Sequence, residues 1–175
     1  MLNFKMASLA LLFSVTGLAN MNTSAAQNQQ RQITAGQGAL GEDAKKLVGS
    51  WRLVETTSDG KIRPERGATP LGIITYDASG WMAAQIQPDR KPVGMAGKEP
   101  TGEEAKAAIF GYTAYFGTFS VDEVKKVVTH HRIGSVSPGW ETRADIHRAY
   151  SFDGPDRVIL RPVDNKNELI WERLK

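Results

Sequence analysis

Two adjacent histidines, His130 and His131, are the residues whose type and spacing first suggest chemistry in this chain. Imidazole groups bind metals and exchange protons near neutral pH, so the pair invites a metal-site or acid–base interpretation. The stretch around them, VTHHRI, is rich in β-branched residues and predicts a strand. Neighbouring side chains on a strand point to opposite faces unless a bulge intervenes, so the two rings are not expected to share one site.

A metal site built across strands is not expected either. The third histidine, His147, is predicted to lie opposite His130 on the next strand, and two imidazoles could take up a divalent ion. Functional zinc sites use roughly three or four protein ligands. The chain has no cysteine, and it contains no G-x-S-x-G elbow, H-E-x-x-H motif or phosphate-binding glycine loop. We therefore expect neither a metal nor another cofactor.

The first 26 residues predict a secretory signal peptide. A basic start that includes Lys5 precedes an apolar run over residues 6–19, which is too short and too diluted by Ser, Thr and Gly for a membrane span. Small residues at Ser24-Ala25-Ala26 suit cleavage, and an uncleaved membrane anchor is the alternative. Residues 27–44 predict a disordered leader before a domain over residues 45–175. Export to the periplasm or out of the cell follows as an expectation.

The charge pattern argues against a nucleic-acid partner. The net charge is only +3, and the basic residues are spread along the chain rather than gathered in a stripe with aromatic residues between them. The chain that remains after the signal peptide fits one domain with a sizeable core. We therefore expect no nucleic-acid binding and no stable membrane insertion.

The element pattern predicts an all-β protein. About eight short β-branched or aromatic runs alternate with turn signals, which is typical of an eight-stranded antiparallel up-and-down barrel. One helix is predicted between strands 3 and 4, where Thr101 and Glu104 form a capping-box pair. Its predicted apolar face consists of Ala105, Ala108, Ile109, Tyr112 and Phe116. The helix and the Pro- and Gly-rich loop before it could cover one mouth of the barrel, or the helix could pack on the outside.

Several motifs in order resemble the lipocalin-like domain family of the calycin superfamily, over residues 47–174. They are Gly49-Ser50-Trp51, Pro70-Leu71-Gly72 with Tyr76, Gly80 and Met82, Ala114-Tyr115-Phe116-Gly117 with Val121, His130-His131, Pro138-Gly139-Trp140 and Trp171-Glu172-Arg173. The resemblance implies a barrel in which Arg173 covers the ring of Trp51 at the closed end. The chain departs from the family pattern at Arg132 and Gly134, and these two differences bear on what the resemblance implies about the chemistry of the pocket.

Strand registers decide which polar residues point inward. A symmetric turn through SPGW would place His131 opposite Ile146 and Thr129 opposite Arg148, so that His131 and Arg148 face the interior and His130 faces solvent. In the last hairpin, Leu160 is predicted opposite Trp171. The predicted apolar interior consists of Leu53, Ile74, Ile86, Ile146, Phe152 and Leu160. Tyr150 and Phe152 are expected to lie opposite Leu160 and Val158 if the turn between the two strands holds one extra residue.

These registers predict a ligand-binding cavity with polar residues Tyr76, Tyr112, His131, Arg148 and Tyr150. An inward Arg148 requires an anionic or carbonyl partner, and Glu55 is the one acid that could face inward. The predicted function is binding of a small, largely hydrophobic ligand that carries a carboxylate, carbonyl or phenolate.

Three alternatives stay open at this stage. Arg148 could be satisfied by backbone carbonyls and tyrosine hydroxyls in a filled core. The protein could be a cofactor-independent isomerase or cyclase that uses His131 with Tyr112 or Tyr76 as acid and base. Its outer surface could bind a protein partner.

Overall fold

The computed structural model describes residues 40–63, 66–91, 93–139, 145–163 and 166–175. The predicted signal peptide and the first part of the predicted leader lie outside these residues. Among the described residues, no helix has the length and apolar character that crossing a membrane requires.

Within these ranges the chain forms two helices and nine strands. The helices are α1 (Glu42–Leu47) and α2 (Gly102–Ile109). The strands are β1 (Gly49–Ser58), β2 (Lys61–Ile62), β3 (Leu71–Tyr76), β4 (Trp81–Gln87), β5 (Thr113–Asp122), β6 (Val127–Ser135), β7 (Ile146–Phe152), β8 (Arg157–Pro162) and β9 (Asn167–Arg173).

The long strands close into one antiparallel barrel. From β3 to β9 each strand pairs with the next in the chain, β1 pairs with β3, and β1 also pairs with β9. The two-residue β2 extends the end of β1 as a short hairpin. The barrel wall therefore contains eight strands, as predicted, and closure leaves no long unpaired edge.

The interior is filled by alternate residues of the wall and by α1. Its buried apolar residues include Leu53, Ile74 and Ile86, as predicted, together with aromatic groups at several levels of the barrel. The buried apolar set is Ala44, Leu47, Trp51, Leu53, Ile74, Tyr76, Met82, Ala84, Ile86, Tyr115, Phe119, Val128, Tyr150, Val158, Leu160 and Trp171.

Arg173 and Trp51 hold the closed end of the barrel. The guanidinium carbon of Arg173 lies 4.0 Å from the centroid of the Trp51 ring, which confirms the predicted cation–π pair. Arg173 donates from Nη1 to the carbonyl oxygen of Val48 at 2.8 Å and from Nη2 to that of Lys46 at 2.6 Å. Trp51 Nε1 donates to the carbonyl oxygen of Leu47 at 2.8 Å. The pair thus binds the end of α1 to both the first and the last strand.

Helix α1 begins inside the predicted leader. Residues 42–44 are helical, and Ala44 and Leu47 pack in the core, so the ordered domain begins before residue 45. The carboxylate of Asp43 accepts hydrogen bonds from Lys126 Nζ at 2.5 Å and from Tyr150 Oη at 2.8 Å. These two donors, Lys126 first, hold the pKa of Asp43 well below its usual range. The helix is therefore attached to the barrel by charge as well as by apolar packing.

Helix α2 is shorter than predicted. Its capping box is present, since Thr101 Oγ1 accepts from the backbone N–H of Glu104 and Glu104 Oε2 accepts from that of Thr101. The helix ends at Ile109, and Gly111 follows with a φ of 74°, a left-handed conformation that suits glycine. The prediction that Tyr112 and Phe116 share the helical face is wrong, because β5 already begins at Thr113.

The two C-terminal hairpins largely confirm the predicted faces. Tyr150 lies opposite Leu160 and Phe152 opposite Val158, as expected for a turn with one extra residue. In the last hairpin Trp171 lies opposite Val158 rather than Leu160. This shift of two residues changes the partner but keeps each side chain on its predicted face.

The register between β6 and β7 differs from the predicted one by a single residue. His130, not His131, lies opposite Ile146, and Thr129 lies opposite His147. A shift of one residue exchanges the two faces of a strand, so His130 is inside the barrel and His131 outside. The loop on which the symmetric turn was assumed includes residues 140–144, which lie outside the described residues.

We predict that Arg173→Met lowers the free energy of unfolding by about 2 kcal/mol or more, because the cation–π contact and two hydrogen bonds to backbone carbonyls are lost. Arg52→Met is the matched control: it sits on the same strand pair but on the outer face, where Arg52 binds the exposed Glu172. Urea denaturation of both variants measures the effect. Equal midpoints for the two variants would contradict the assigned role of Arg173.

Candidate functional site

The barrel encloses a cavity of about 240 Å³ towards the end that is remote from α1. Its walls combine apolar and polar side chains from most strands. The apolar residues are Ile74, Ala84, Ile86, Ile146, Leu160, Pro162, Leu169 and Trp171, and the polar ones are Arg63, Arg66, Thr113, Tyr115, His130, Arg148 and Asn167.

Residues 63 and 66–70, between β2 and β3, form a segment that contributes Arg63 and Arg66 to the lining of this cavity. Arg66 donates from Nη1 to the carbonyl oxygen of Gly111 at 2.8 Å and from Nη2 to Thr113 Oγ1 at 3.0 Å, which joins the segment to the start of β5. Gly67 lies so close to Asp89 that an added Cβ would come within 2.5 Å of the Asp89 side chain. No residue of α2 lines the cavity, and α2 has no buried residue. Of the two positions considered for this helix, packing on the outside agrees with these observations.

The described residues that line the cavity include three arginines and no acid. Arg63 and Arg66 lie between β2 and β3, and Arg148 lies in the wall on β7 opposite Val128 and Pro162. A bulge between Leu53 and Glu55 places Glu55 opposite Ile170, on the outer side of the wall, so the one acid expected inside is turned away. The described part of the lining therefore contains three cationic side chains and no carboxylate.

A buried hydrogen-bonded chain of three side chains adjoins the cavity. The Tyr76 hydroxyl lies 2.7 Å from His130 Nε2, and the Tyr115 hydroxyl lies 2.9 Å from His130 Nδ1. Tyr115 and His130 line the cavity, whereas Tyr76 lies behind them. All three side chains are buried, and His130 is only 1% exposed.

Burial determines the protonation state of this chain. Desolvation, and next the nearby Arg148 charge, lower the pKa of His130 to about 3. Desolvation raises the pKa of Tyr115 to about 12 and that of Tyr76 well above its usual value. All three groups are therefore neutral at neutral pH.

Trp171 lines the cavity and contains a buried donor. Its indole Nε1 has no hydrogen-bond partner among the described residues. The atom itself is buried, so it is not offered to a molecule in the cavity.

One of the five predicted site residues lines this cavity, and a second adjoins it. Arg148 lines it, and Tyr76 supports it through His130. Tyr150 is buried but lies at the closed end, where it donates to Asp43. Tyr112 donates to Gln85 Oε1 at 3.1 Å on the outer face, so its predicted inward position is wrong.

His131 lies on the outer face, and its predicted inward position is also wrong. Its Nδ1 is 2.7 Å from Asp145 Oδ2, and its Nε2 is 2.9 Å from Ser120 Oγ. A carboxylate only accepts, so Nδ1–H donates to Asp145. None of these three side chains lines the cavity. In the described part of the chain no three metal-ligating side chains come together.

His130 and Tyr115 are the site residues that the sequence analysis missed. A sequence signal for them exists in the short turn between β5 and β6, which places Asp122 opposite Val127 and therefore Phe119 opposite His130. Short hairpin turns fix register more firmly than long loops do. Because Phe119 is an obvious core residue, this turn would have placed His130 inside.

The closed antiparallel barrel, its internal cavity and the Trp51–Arg173 pair define a lipocalin-type protein. The family model described as "Lipocalin-like domain" matches residues 48–174, and the chain belongs to that family. Among solved structures the chain is similar to a redesigned β-barrel at 11% identity and a TM-score of 0.42, with 79% of this chain and 100% of that chain covered. No curated protein matches the chain.

We predict that the free energy of unfolding falls as the pH drops below about 6.5, by up to about 1.4 kcal/mol per pH unit. In this pH range His130 takes up a proton in the unfolded chain but stays neutral in the folded chain. The sign follows from the lowered pKa of His130 in the folded state. Urea unfolding at about pH 7 and pH 5 should show a smaller loss for His130→Gln than for the wild type. His147→Gln is the control from the outer face. A His130 NMR signal that titrates near pH 6.5 would show that the assigned environment is wrong.

Proposed function

We propose that this protein is an exported binding protein for a small, largely hydrophobic anion held in the barrel cavity. The observation that carries the proposal is a cavity lined by three arginines and no acid among its described residues. Membership of the lipocalin-like domain family supports binding of a small molecule in general. The anionic character of the ligand is inferred from the charges.

The size of the cavity limits the ligand. Binding pockets for drug-sized molecules measure roughly 300–1,000 Å³, and this cavity of about 240 Å³ is slightly smaller. Ile74, Ile86, Ile146 and Leu160 belong to the aliphatic part of its lining. A short acyl chain or a compact aromatic acid fits this combination.

The charge of the cavity favours a carboxylate or phenolate over a neutral head group. A guanidinium offers five N–H donors, so an arginine that already contacts protein groups can still donate to a bound anion. Guanidinium and carboxylate also match in geometry, since two parallel hydrogen bonds can form. In the alternative, backbone carbonyls and tyrosine hydroxyls satisfy Arg148 in a filled core, whereas the open volume beside Arg148 favours a ligand.

The geometry supports binding better than acid–base catalysis. The histidine and tyrosine considered for an isomerase or cyclase, His131 and Tyr112, both lie outside the cavity. The pair that does line it, His130 and Tyr115, has pKa values of about 3 and about 12. Efficient general acids and bases titrate near the working pH, and neither group does.

A protein-binding outer surface is less well supported. Exposed apolar side chains such as Phe110 and Leu71 occur on the outside of the barrel. Scattered residues of this kind are ordinary features of protein surfaces.

Export forms the second part of the proposal and depends on residues 1–26, which lie outside the described residues. The basic start, the apolar run and Ser24-Ala25-Ala26 support it.

We predict that the full chain, expressed with its own N-terminus in a Gram-negative host, is recovered from the periplasm with Gln27 near its new N-terminus. Cell fractionation and the intact mass of the protein measure this. An unprocessed chain in the membrane fraction would support an uncleaved anchor and refute the signal peptide.

We predict that Arg148→Met weakens binding of 2-naphthoate about tenfold or more, because a charge-assisted hydrogen-bond partner is lost. Titration calorimetry with wild type and variant measures the change. Arg161→Met is the matched control: Arg161 lies on the outer face of β8, where it binds Glu168 at 2.6 Å. Equal affinity of the wild type and Arg148→Met would remove Arg148 from the binding site.

A further inference from the structure

We infer that Tyr76, His130 and Tyr115 form a hydrogen-bond chain with one fixed direction, and that this direction makes the Tyr115 hydroxyl a donor into the cavity. Tyr115 then selects a ligand that presents an oxygen acceptor without a proton of its own, such as a carboxylate. This inference deepens the proposed function and rests on it for the identity of the ligand class. The direction of the hydrogen-bond chain follows from the protein side chains alone and does not depend on a ligand.

The first step is a proton count at His130. A neutral imidazole has one N–H donor and one acceptor nitrogen. Both ring nitrogens lie within hydrogen-bond distance of a tyrosine hydroxyl, at 2.7 Å for Tyr76 and 2.9 Å for Tyr115. One tyrosine must therefore donate to the ring, and the other must accept from it.

The second step compares the two possible directions. If the ring donated to Tyr76, the hydroxyl proton of Tyr76 would need a further acceptor. Tyr76 is 1% exposed and does not line the cavity, and in the described part of the chain its hydroxyl is hydrogen-bonded to His130. A buried donor without a partner costs about 1–3 kcal/mol. This direction is therefore disfavoured.

The opposite direction pairs the donors of both Tyr76 and His130. The Tyr76 hydroxyl donates to Nε2, and Nδ1–H donates to the hydroxyl oxygen of Tyr115. The remaining proton is that of Tyr115, which lines the cavity and can reach a bound molecule or water there. His130 thus carries its proton on Nδ1, and Tyr115 offers an O–H to the cavity.

The third step joins this donor to its neighbours. Arg148, which also lines the cavity, has donors and no acceptor. With Tyr115 fixed as a donor, these two residues of the lining both offer hydrogen. A carboxylate can accept from both of them, whereas the proton of an alcohol or an amine finds no acceptor at either group. Tyr115 is therefore a specificity-determining residue, and Tyr76 and His130 are positioning residues.

The direction of the chain is tested without any ligand. We expect long-range ¹H–¹⁵N NMR spectra of the ¹⁵N-histidine-labelled protein to show His130 as the Nδ1–H tautomer at neutral pH. Signals are assigned with His130→Gln, His131→Gln and His147→Gln. An Nε2–H tautomer at His130 would overturn the inference, whether or not any ligand binds.

The positioning role of Tyr76 has a readout that a purely structural role would not change. Tyr76→Phe removes the donor to Nε2, so the Nε2–H tautomer of His130 should become populated. If Tyr76→Phe lowers stability and the tautomer stays entirely Nδ1–H, Tyr76 does not set the direction.

The selective role of Tyr115 is tested by titration calorimetry with two probes of the same ring system. We expect Tyr115→Phe to weaken 2-naphthoate binding about tenfold, as for loss of a hydrogen bond to a charged acceptor, and to change 2-methylnaphthalene binding little. Thermal unfolding checks that the variant is folded. Unchanged 2-naphthoate affinity in folded Tyr115→Phe would overturn the selective role. Failure of the wild type to bind 2-naphthoate would refute the carboxylate assignment and the proposed function together, and the tautomer result would still decide the direction of the chain.

Discussion

The pairing of β1 with β9 is the constraint on which the rest of the molecule depends. It converts a meander of strands into a closed wall, and only a closed wall has an inside. Arg173 secures this closure because its guanidinium covers Trp51 and binds the last carbonyls of α1. The closed end is thereby filled with side chains, which leaves the cavity to the opposite end.

The cavity is defined by what its lining can donate. The arginines and the tyrosine of the lining come from strands and segments that are far apart in the chain, and the bulge in β1 turns Glu55 away from them. The buried His130 takes part without charge, since its surroundings hold its pKa at about 3. Charge and hydrogen-bond direction thus both favour an anionic head group beside an aliphatic wall.

Local patterns predicted much of this fold, and the reasons are physical. Alternation along each strand and the capping box of Thr101 and Glu104 depend on residues that are near each other in sequence. The Trp51–Arg173 pair joins residues that are far apart in sequence, but each belongs to a strongly patterned motif. The turn between β7 and β8 is also short, and its register is the one expected for a turn with one extra residue. The extent of α2 was overestimated because the apolar residues after Gly111 fit a strand as well as a helix.

The sequence by itself determined that neighbouring residues of β6 face opposite ways, so that only one of His130 and His131 can be inside. Which of them is inside was decided by the tertiary structure, because the register between β6 and β7 depends on how a long loop is accommodated. A shift of one residue there exchanges the faces and removes His131 from the cavity. The tertiary structure also decided that Arg63, Arg66 and Arg148 line the same cavity. Closure of the barrel brings them together, and no regular spacing in the sequence relates them.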